Sequence, residues 1–306
     1  MEGLVTKSTG SWYQVKTPDE RCFDCRIKGK FRIKGITTTN PIAVGDTVDF
    51  ELEPDQGTGV ITNLHPRKNY IIRKSINLSK QAQIIAANLD QAFLIVTLAS
   101  PRTSLGFIDR FLVTAEAYDI PASLIFNKLD LFSDEGLEIL DDYKKIYEKI
   151  GYPCYEVSAL KGTNIDKVAD AIKGKVTLFA GHSGVGKSSL INALVPDLGL
   201  RTSEISEWHD KGTHTTTFAE MFELPQGGYI IDTPGIRELG VIDIEKNELS
   251  HFFPEMRARL NQCRFNSCRH INEPGCAVIR AVEEGEIELS RYESYVSIYH
   301  GYDTRA

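Results

Sequence analysis

The sequence predicts a multidomain chain. A small all-β barrel of the OB type comes first, a doubly wound α/β domain second, and a mainly helical module stapled by a metal last. Three observations predict it. Residues 1–66 break into short alternating runs divided by Gly, Pro, Asp and Asn, the pattern of a small barrel. Residues 93–240 alternate short apolar runs with helical stretches, as buried parallel strands and crossover helices do. Residues 263–276 gather three cysteines around one histidine. The 306 residues also exceed what a single core usually organises, about 250–300.

Composition narrows the class. Apolar residues make up 42% and charged residues 25%, which excludes a wholly disordered chain or a collagen-like fibre. No apolar stretch approaches the ~18–20 residues needed to span a bilayer. The N-terminal MEGLVTKSTGSWYQV has no signal-peptide core, so a cytoplasmic protein without a membrane partner is expected. A net charge of −7 argues against a surface that binds polyanions everywhere. It leaves room for local basic faces: residues 21–34 hold six basic side chains and one acid, and residues 257–280 hold five arginines and one acid.

In the barrel region, SWYQVKT, RCFDCRIKGKFRIKG, DTVDFELEP and GTGVITNLHP read as strands. Phe23 and Phe31 are interleaved with the cations of 21–34, so this strand pair could line a phosphate backbone and offer rings for stacking on RNA bases. Cys22 and Cys25, three apart on a strand, point to opposite faces and form no redox or metal pair. Residues 67–92, with Arg67, Lys68, Arg73 and Lys74, read as a basic linker. In the α/β region AFLIVTL, SLIFNK, CYEVSA, VTLFAG and YIIDTPG read as strands, with helices near 106–118, 134–150, 164–173 and 187–195. Helices are also expected near 245–260 and 276–286, ahead of a Tyr-rich tail. The boundaries are therefore placed at 1–66, 67–240 and 241–306.

Four strings carry the chemistry, and each follows a strand. GHSGVGKS matches the phosphate-loop pattern GxxxxGK[ST] between the strand VTLFA and a helix. In it Gly181, His182, Ser183, Gly184, Val185 and Gly186 would wrap phosphate oxygens with backbone N–H groups. Lys187 would reach the β- and γ-phosphates, Ser188 would bind Mg²⁺, and Ser189 continues the loop into the helix. In DTPG, Asp232 would hold Mg²⁺ and the Gly235 N–H would meet the γ-phosphate. In NKLD, the Asp130 carboxylate can accept the two N–H bonds of a guanine edge, a donor pair adenine lacks. Asn127 would buttress that pocket and Lys128 would pack over the base. In SAL, Ser158 precedes Ala159, whose N–H would meet the guanine oxygen. GTP or GDP is the ligand these strings imply.

Their order is permuted. Small GTPases run phosphate loop, switch I, DxxG, NKxD, SAx, whereas NKLD and SAL come first here. The sequence thus predicts a circularly permuted P-loop GTPase domain. Leaving DTPG, the chain enters the C-terminal region directly, so a lever between switch II and residues 241–306 is expected. Between phosphate loop and DTPG, RTSEISEWHDKGTHTTTFAEM is long enough for switch I. Thr216 is the chosen Mg²⁺ ligand, with Thr215 and Thr217 as alternatives. Ile236 stands where many GTPases place a water-orienting glutamine and cannot orient water. His214, with His209 as runner-up, could supply the polar nitrogen; an ordinary loop histidine is the competing reading.

The metal pattern is C-x4-C-x-H-x5-C: Cys263, Cys268, His270 and Cys276. Three thiolates and one imidazole make a closed tetrahedral zinc site, structural because no position remains for water. The flanking arginines suit a docking surface or a plain structural clip.

This arrangement resembles the ribosome small-subunit-dependent GTPase family (RsgA, also called YjeQ or YloQ). The resemblance spans essentially the whole chain and rests on GHSGVGKSSLINAL, the HTTT run and the CxHx5C spacing beside an N-terminal barrel. It implies a barrel that contacts 16S rRNA, and GTP hydrolysis stimulated by the small (30S) subunit late in its assembly. It implies that His214 positions the attacking water, which places His214 with Lys187 and Thr216 as catalytic residues. Mg²⁺ accompanies GTP, one structural Zn²⁺ is expected, and a monomer is expected. Two classes stay open: an enzyme whose hydrolysis times its release from the subunit, and a nucleotide-sensing RNA-binding module.

Overall fold

The computed structural model describes residues 1–27, 41–54, 56–74, 82–200, 219–232 and 244–302. The N-terminal strands are β1 (Glu2–Ser8), β2 (Tyr13–Lys16), β3 (Cys22–Ile27), β4 (Thr47–Leu52) and β5 (Gly59–Leu64). They pair in the order β1-β2-β3-β5-β4, and β4 returns to β1, so the sheet closes on itself. Closure removes the exposed edges a five-stranded sheet would otherwise present. Strand alternation fills the interior with Val5, Tyr13, Val15, Cys25, Val48, Phe50 and Ile61. Cys25 is buried and Cys22 exposed, the opposite-face placement that a separation of three requires. Gly59 lies opposite Cys25 in the parallel β3–β5 pair, where a Cβ would come within 2.6 Å of the Cys25 sulfur and 2.8 Å of the Phe50 ring. Phe23 packs against Phe50 with ring centroids 5.5 Å apart, and Arg21 lies over its ring.

The expected basic linker is a folded hairpin. Strands β6 (Tyr70–Lys74) and β7 (Ala82–Ala87) pair antiparallel. Ile71 and Ala86 join the main α/β core, which the charges around them in sequence concealed. The hairpin also seats the barrel. Arg67 forms a buried ion pair with Asp46, Nη2 to Oδ2 at 2.6 Å. Gly45 lies so close to the Ala87 carbonyl that a Cβ would sit 2.2 Å from its oxygen.

The second sheet holds β8 (Gln91–Val96), β9 (Ala122–Phe126), β10 (Cys154–Glu156), β11 (Val176–Ala180), β12 (Glu220–Glu223) and β13 (Tyr229–Asp232). Its order is β10-β9-β8-β11-β13-β12, parallel except for β12. Every residue of β8 and β9 is buried, as expected of strands covered on both faces. The two-residue period sorts them: Leu94, Val96, Leu124 and Phe126 face one core, and Phe93, Ile95 and Ile125 face the other. Helices α1 (Leu105–Ala117) and α2 (Asp134–Ile150) cover the first face through Phe107, Phe111, Leu140 and Tyr147. Helices α3 (Ile165–Ile172) and α4 (Lys187–Leu194) cover the second through Val168, Ile172, Leu190 and Ile191. Ser104 and Ser133 cap the first pair, accepting from Phe107 N and Gly136 N. Cys154 opens β10 and packs against the α/β core. One register pair, Lys7↔Glu220, joins β1 to β12 and makes barrel and α/β sheet continuous.

In the C-terminal region the expected helix near 245–260 is a set of short turns around the one-turn α5 (Pro254–Arg257). Helix α6 (Ala277–Glu283) follows the metal-pattern residues. The Tyr-rich tail is itself helix α7 (Leu289–His300). Its aromatic residues serve as core: Tyr295 is buried against Phe253, and Tyr292, Val296 and Tyr299 pack around it. Among the described residues no helix is long and apolar enough to cross a membrane.

Candidate nucleotide site and metal centre

NKLD, SAL and the phosphate loop each follow the carboxyl end of a parallel strand, and Asp232 ends another, where open α/β sheets bind ligands. Gly181–Gly186 link β11 to α4. At Gly181 a Cβ would lie 2.7 Å from the Ile95 carbonyl oxygen, so the loop passes directly over β8. Gly186 has φ +90°, and a Cβ there would meet the Asn127 amide nitrogen at 2.3 Å. Only glycine fits both the conformation and the space.

Asn127 explains that closeness. Its side chain is buried; Nδ2 donates to the Val185 carbonyl at 2.8 Å, and Oδ1 accepts from Ala159 N at 3.1 Å. One amide thus ties the NKLD, SAL and phosphate-loop segments together. Asp130 accepts a hydrogen bond from Ser158 Oγ, which in turn accepts from Lys161 N at 3.1 Å. Lys128 adopts the left-handed conformation, φ +66°, and its ammonium donates to the Ser100 carbonyl. Burial lowers its pKa, against the opposing pull of Asp130. Lys187 Nζ lies 2.6 Å from Asp232 Oδ1, which places the phosphate-loop lysine beside the aspartate of DTPG.

Ser183, Ser188 and Ser189 lie on the loop and the first turn of α4, half-buried or exposed, while Val185 is buried in the second core. His182 packs against Phe107 of α1, the rings tilted by 32° with centroids 3.7 Å apart. The predicted residues His214 and Thr216, their alternatives His209, Thr215 and Thr217, and Gly235 and Ile236 lie outside the described residues.

The sulfurs of Cys263, Cys268 and Cys276 and a ring nitrogen of His270 all lie within 4.8 Å of one another. His270 Nδ1 is 3.6 Å from Cys263 Sγ and 3.4 Å from Cys276 Sγ. A tetrahedral metal with metal–sulfur distances of ~2.3 Å and metal–nitrogen of ~2.0–2.1 Å holds N and S about 3.5 Å apart, so the donors fit. His270 has φ +58°, and its loop is held from outside. Tyr292 donates to the His270 carbonyl at 2.8 Å and Tyr295 to the Arg269 carbonyl at 2.6 Å. The Glu273 carboxylate accepts N–H bonds from Arg269, Ile271 and Asn272. Burial opposes ionisation of Glu273, but these donors outweigh it and keep its pKa below the ordinary value. Burial lowers the His270 pKa, favouring the neutral ring that ligates metals. Burial also pushes the Cys268 thiol up to about 12 without a metal, so binding must displace its proton.

Sequence reasoning missed a third cluster. Arg291 of α7 is fully buried; Nη1 donates to Asp109 of α1 at 2.7 Å and Nε to Glu255 at 2.7 Å. Tyr147 of α2 donates to the same Asp109 oxygen at 2.9 Å. No local signal marks a pair separated by 182 residues.

A doubly wound sheet whose phosphate loop follows the base-recognition strings in the chain is that of a circularly permuted GTPase, and its reaction is GTP hydrolysis. A family model described as RsgA GTPase matches residues 64–242, and one described as RsgA N-terminal domain matches residues 2–61. The chain belongs to the RsgA GTPase family. A Bacteroides fragilis relative named small ribosomal subunit biogenesis GTPase RsgA is 56% identical, covering 97% of this chain and 96% of its own. A Christiangramia forsetii relative of the same name is 55% identical, covering 98% and 96%. The crystal structure of YjeQ from Thermotoga maritima aligns at TM-score 0.79 with 37% identity, over 100% of this chain and 99% of that one. The structure of YloQ, described as a circularly permuted GTPase, aligns at 0.74 with 32% identity, over 100% and 96%.

Proposed function

We propose that this chain hydrolyses GTP as an assembly factor of the small (30S) ribosomal subunit, that it contacts 16S rRNA, and that the subunit stimulates hydrolysis coupled to release. The nucleotide half of this reading rests on one observation: the buried Asn127 amide binds the base-side loops and the phosphate loop into a single rigid site. The ribosomal half rests on relatives that are named for small-subunit biogenesis and match almost the whole chain.

In this reading Asp130 and the Ala159 N–H recognise guanine, Asn127 and Ser158 position them, and Lys128 covers the ring. Ser158 holds one Asp130 oxygen, which orients the carboxylate for two parallel bonds to a guanine edge. Residues Gly181–Ser189 and Gly235 surround the phosphates. Lys187 leaves Asp232 for the β- and γ-phosphates. Ser188, Thr216 and Asp232 hold Mg²⁺, which would neutralise charge developing on the phosphate oxygens. His214 orients the attacking water that Ile236 cannot. Zinc occupies the Cys263, Cys268, His270 and Cys276 set as a staple with no catalytic part. The parts divide at 66/67 and 240/241, and the protein works as a cytoplasmic monomer.

Turnover with and without purified small subunits tests the reading. Strong stimulation is expected; slow hydrolysis that the subunit leaves unchanged would favour the nucleotide-sensing RNA-binding module instead. His214→Ala should abolish stimulated turnover while GDP binding persists, and unchanged turnover would remove His214 from catalysis.

A further inference from the structure

The sequence places any coupling between the nucleotide and the C-terminal region in the segment after DTPG. A separate route runs through α1. Phe107 is buried and carries the His182 ring of the phosphate loop on its face. Asp109, two residues on, points about 200° around the helix, to the side where Arg291 of α7 meets it. The segment leading into α1 leans on the same nucleotide site. Pro101 lies against Gly184, where a Cβ would be 3.3 Å from its Cδ, and the Ser100 carbonyl receives the Lys128 ammonium. On its far side α1 makes further polar contacts with the C-terminal module, from Arg110 to the Tyr302 carbonyl and from Glu116 to Arg257. Val113 of α1 belongs to the C-terminal core itself.

We propose that α1 is the mechanical link between nucleotide site and metal module, with Phe107 as the positioning residue under the phosphate loop and the Asp109–Arg291 pair as the seat of the module. Three residues of the nucleotide site rest on the segment 100–107, and α7 rests on the opposite side of the same helix. Close-packed helices move as units, so a shift of the phosphate loop at His182 displaces Asp109 with it. A buried guanidinium between two carboxylates resists graded movement, because any partial separation leaves a desolvated charge. The seat is therefore held or released, the two-state behaviour that coupling requires. Reciprocity follows: a module that leaves its seat weakens nucleotide binding by the same factor by which nucleotide holds the module.

The inference rests on the nucleotide site described above, and a double-mutant cycle on GDP affinity in the full-length, metal-loaded protein tests it. Arg291→Met, on the far side of α1 from the phosphate loop, is expected to raise the GDP Kd about 5-fold or more. In the Phe107→Leu background the same change should add less than about 2-fold, because the link is already cut. Val278→Ala, on α6, loosens the module core without touching α1 or the ion pair and should leave GDP binding within about 2-fold of wild type. If Arg291→Met does not fold, Asp109→Leu/Glu255→Gln/Arg291→Met neutralises both paired carboxylates as well and takes its place. Wild-type affinity in the folded Arg291 variant, additivity with Phe107→Leu, or an equal loss in Val278→Ala each overturns the link. Failure of the wild-type protein to bind GDP would instead sink the nucleotide reading, and this one with it.

Discussion

The two outer modules are attached to the same α/β centre by different means. The barrel has a core of its own and meets the central sheet edge-on, through one register pair and the ion pairs Lys7–Glu220 and Lys16–Glu223. Among the described residues its buried ion-pair anchor is Asp46–Arg67, at the hairpin, beside Val44, which packs into the α/β core. The C-terminal module borrows core from the centre, through Val113, and seats α7 on α1 with a fully buried arginine. It also carries the Cys₃His cluster, a donor set that could hold a metal. A closed barrel can tolerate a loose attachment because its hydrogen bonds and apolar core are internal. A module of short turns and three helices cannot, so it draws on a neighbour's helix and gathers a donor set that could hold a metal.

The largest expected effect breaks that contrast at the staple. Metal–thiolate binding in small structural sites contributes on the order of 10 kcal/mol, comparable with the whole net stability of a typical domain. Chelation, or Cys268→Ser, should therefore unfold residues 263–300 while β1–β5 keep their structure. Native-state hydrogen exchange reads this directly: protection should vanish in α6 and α7 and persist in the barrel strands. Equal loss in both would show that the barrel depends on the module after all.

The next effects compare the buried anchors. Arg291→Ala leaves Asp109 and Glu255 buried without their cation and should cost about 3–5 kcal/mol. Arg67→Ala strands Asp46 in the same way, and also releases the Pro41 carbonyl, so a cost of about 3 kcal/mol is expected. Denaturant titrations followed by local exchange should place the first loss in α7 and the second in the hairpin and residues 41–46. A small effect of Arg67→Ala would make the barrel a loosely tethered arm and sharpen the contrast further.

Local chemistry was legible in the sequence and long-range chemistry was not. GHSGVGKS, NKLD, SAL and the Cys/His spacing each lie within a short window, and their strands are continuous apolar runs. The parallel sheet followed from them, but not its strand order. The hairpin β6–β7 was hidden because Arg73 and Lys74 sit beside Ile71 and Ile72. Helix α7 was read as a tail because tyrosines signal neither helix nor core by themselves, although Tyr295 is buried. The tight fit of Gly186 against Asn127 and the meeting of Asp109 with Arg291 exist only after folding. A lone arginine among tyrosines looks like any solvated charge until its carboxylates arrive from α1 and α5.

The smallest predicted effect concerns the edge where barrel meets sheet, and it tests whether continuity of hydrogen bonding amounts to strength of attachment. β1 joins β12 at a single register pair, Lys7↔Glu220, with the side chains 2.9 Å apart and 43% and 30% exposed. An ion pair this open to water is screened by salt and loses side-chain entropy on forming, so its worth is about 0.2–1 kcal/mol. Lys7→Ala should therefore change the exchange protection of β12 amides by no more than about 5-fold at low salt. At several hundred millimolar salt, where the Debye length falls below about 6 Å, the difference from wild type should shrink further. β13, already paired with β11 across four residues, should not respond. A much larger, salt-independent loss in β12 would mean that the single bridge carries the barrel, and the contrast between a loosely edged module and a deeply seated one would fail at that strand.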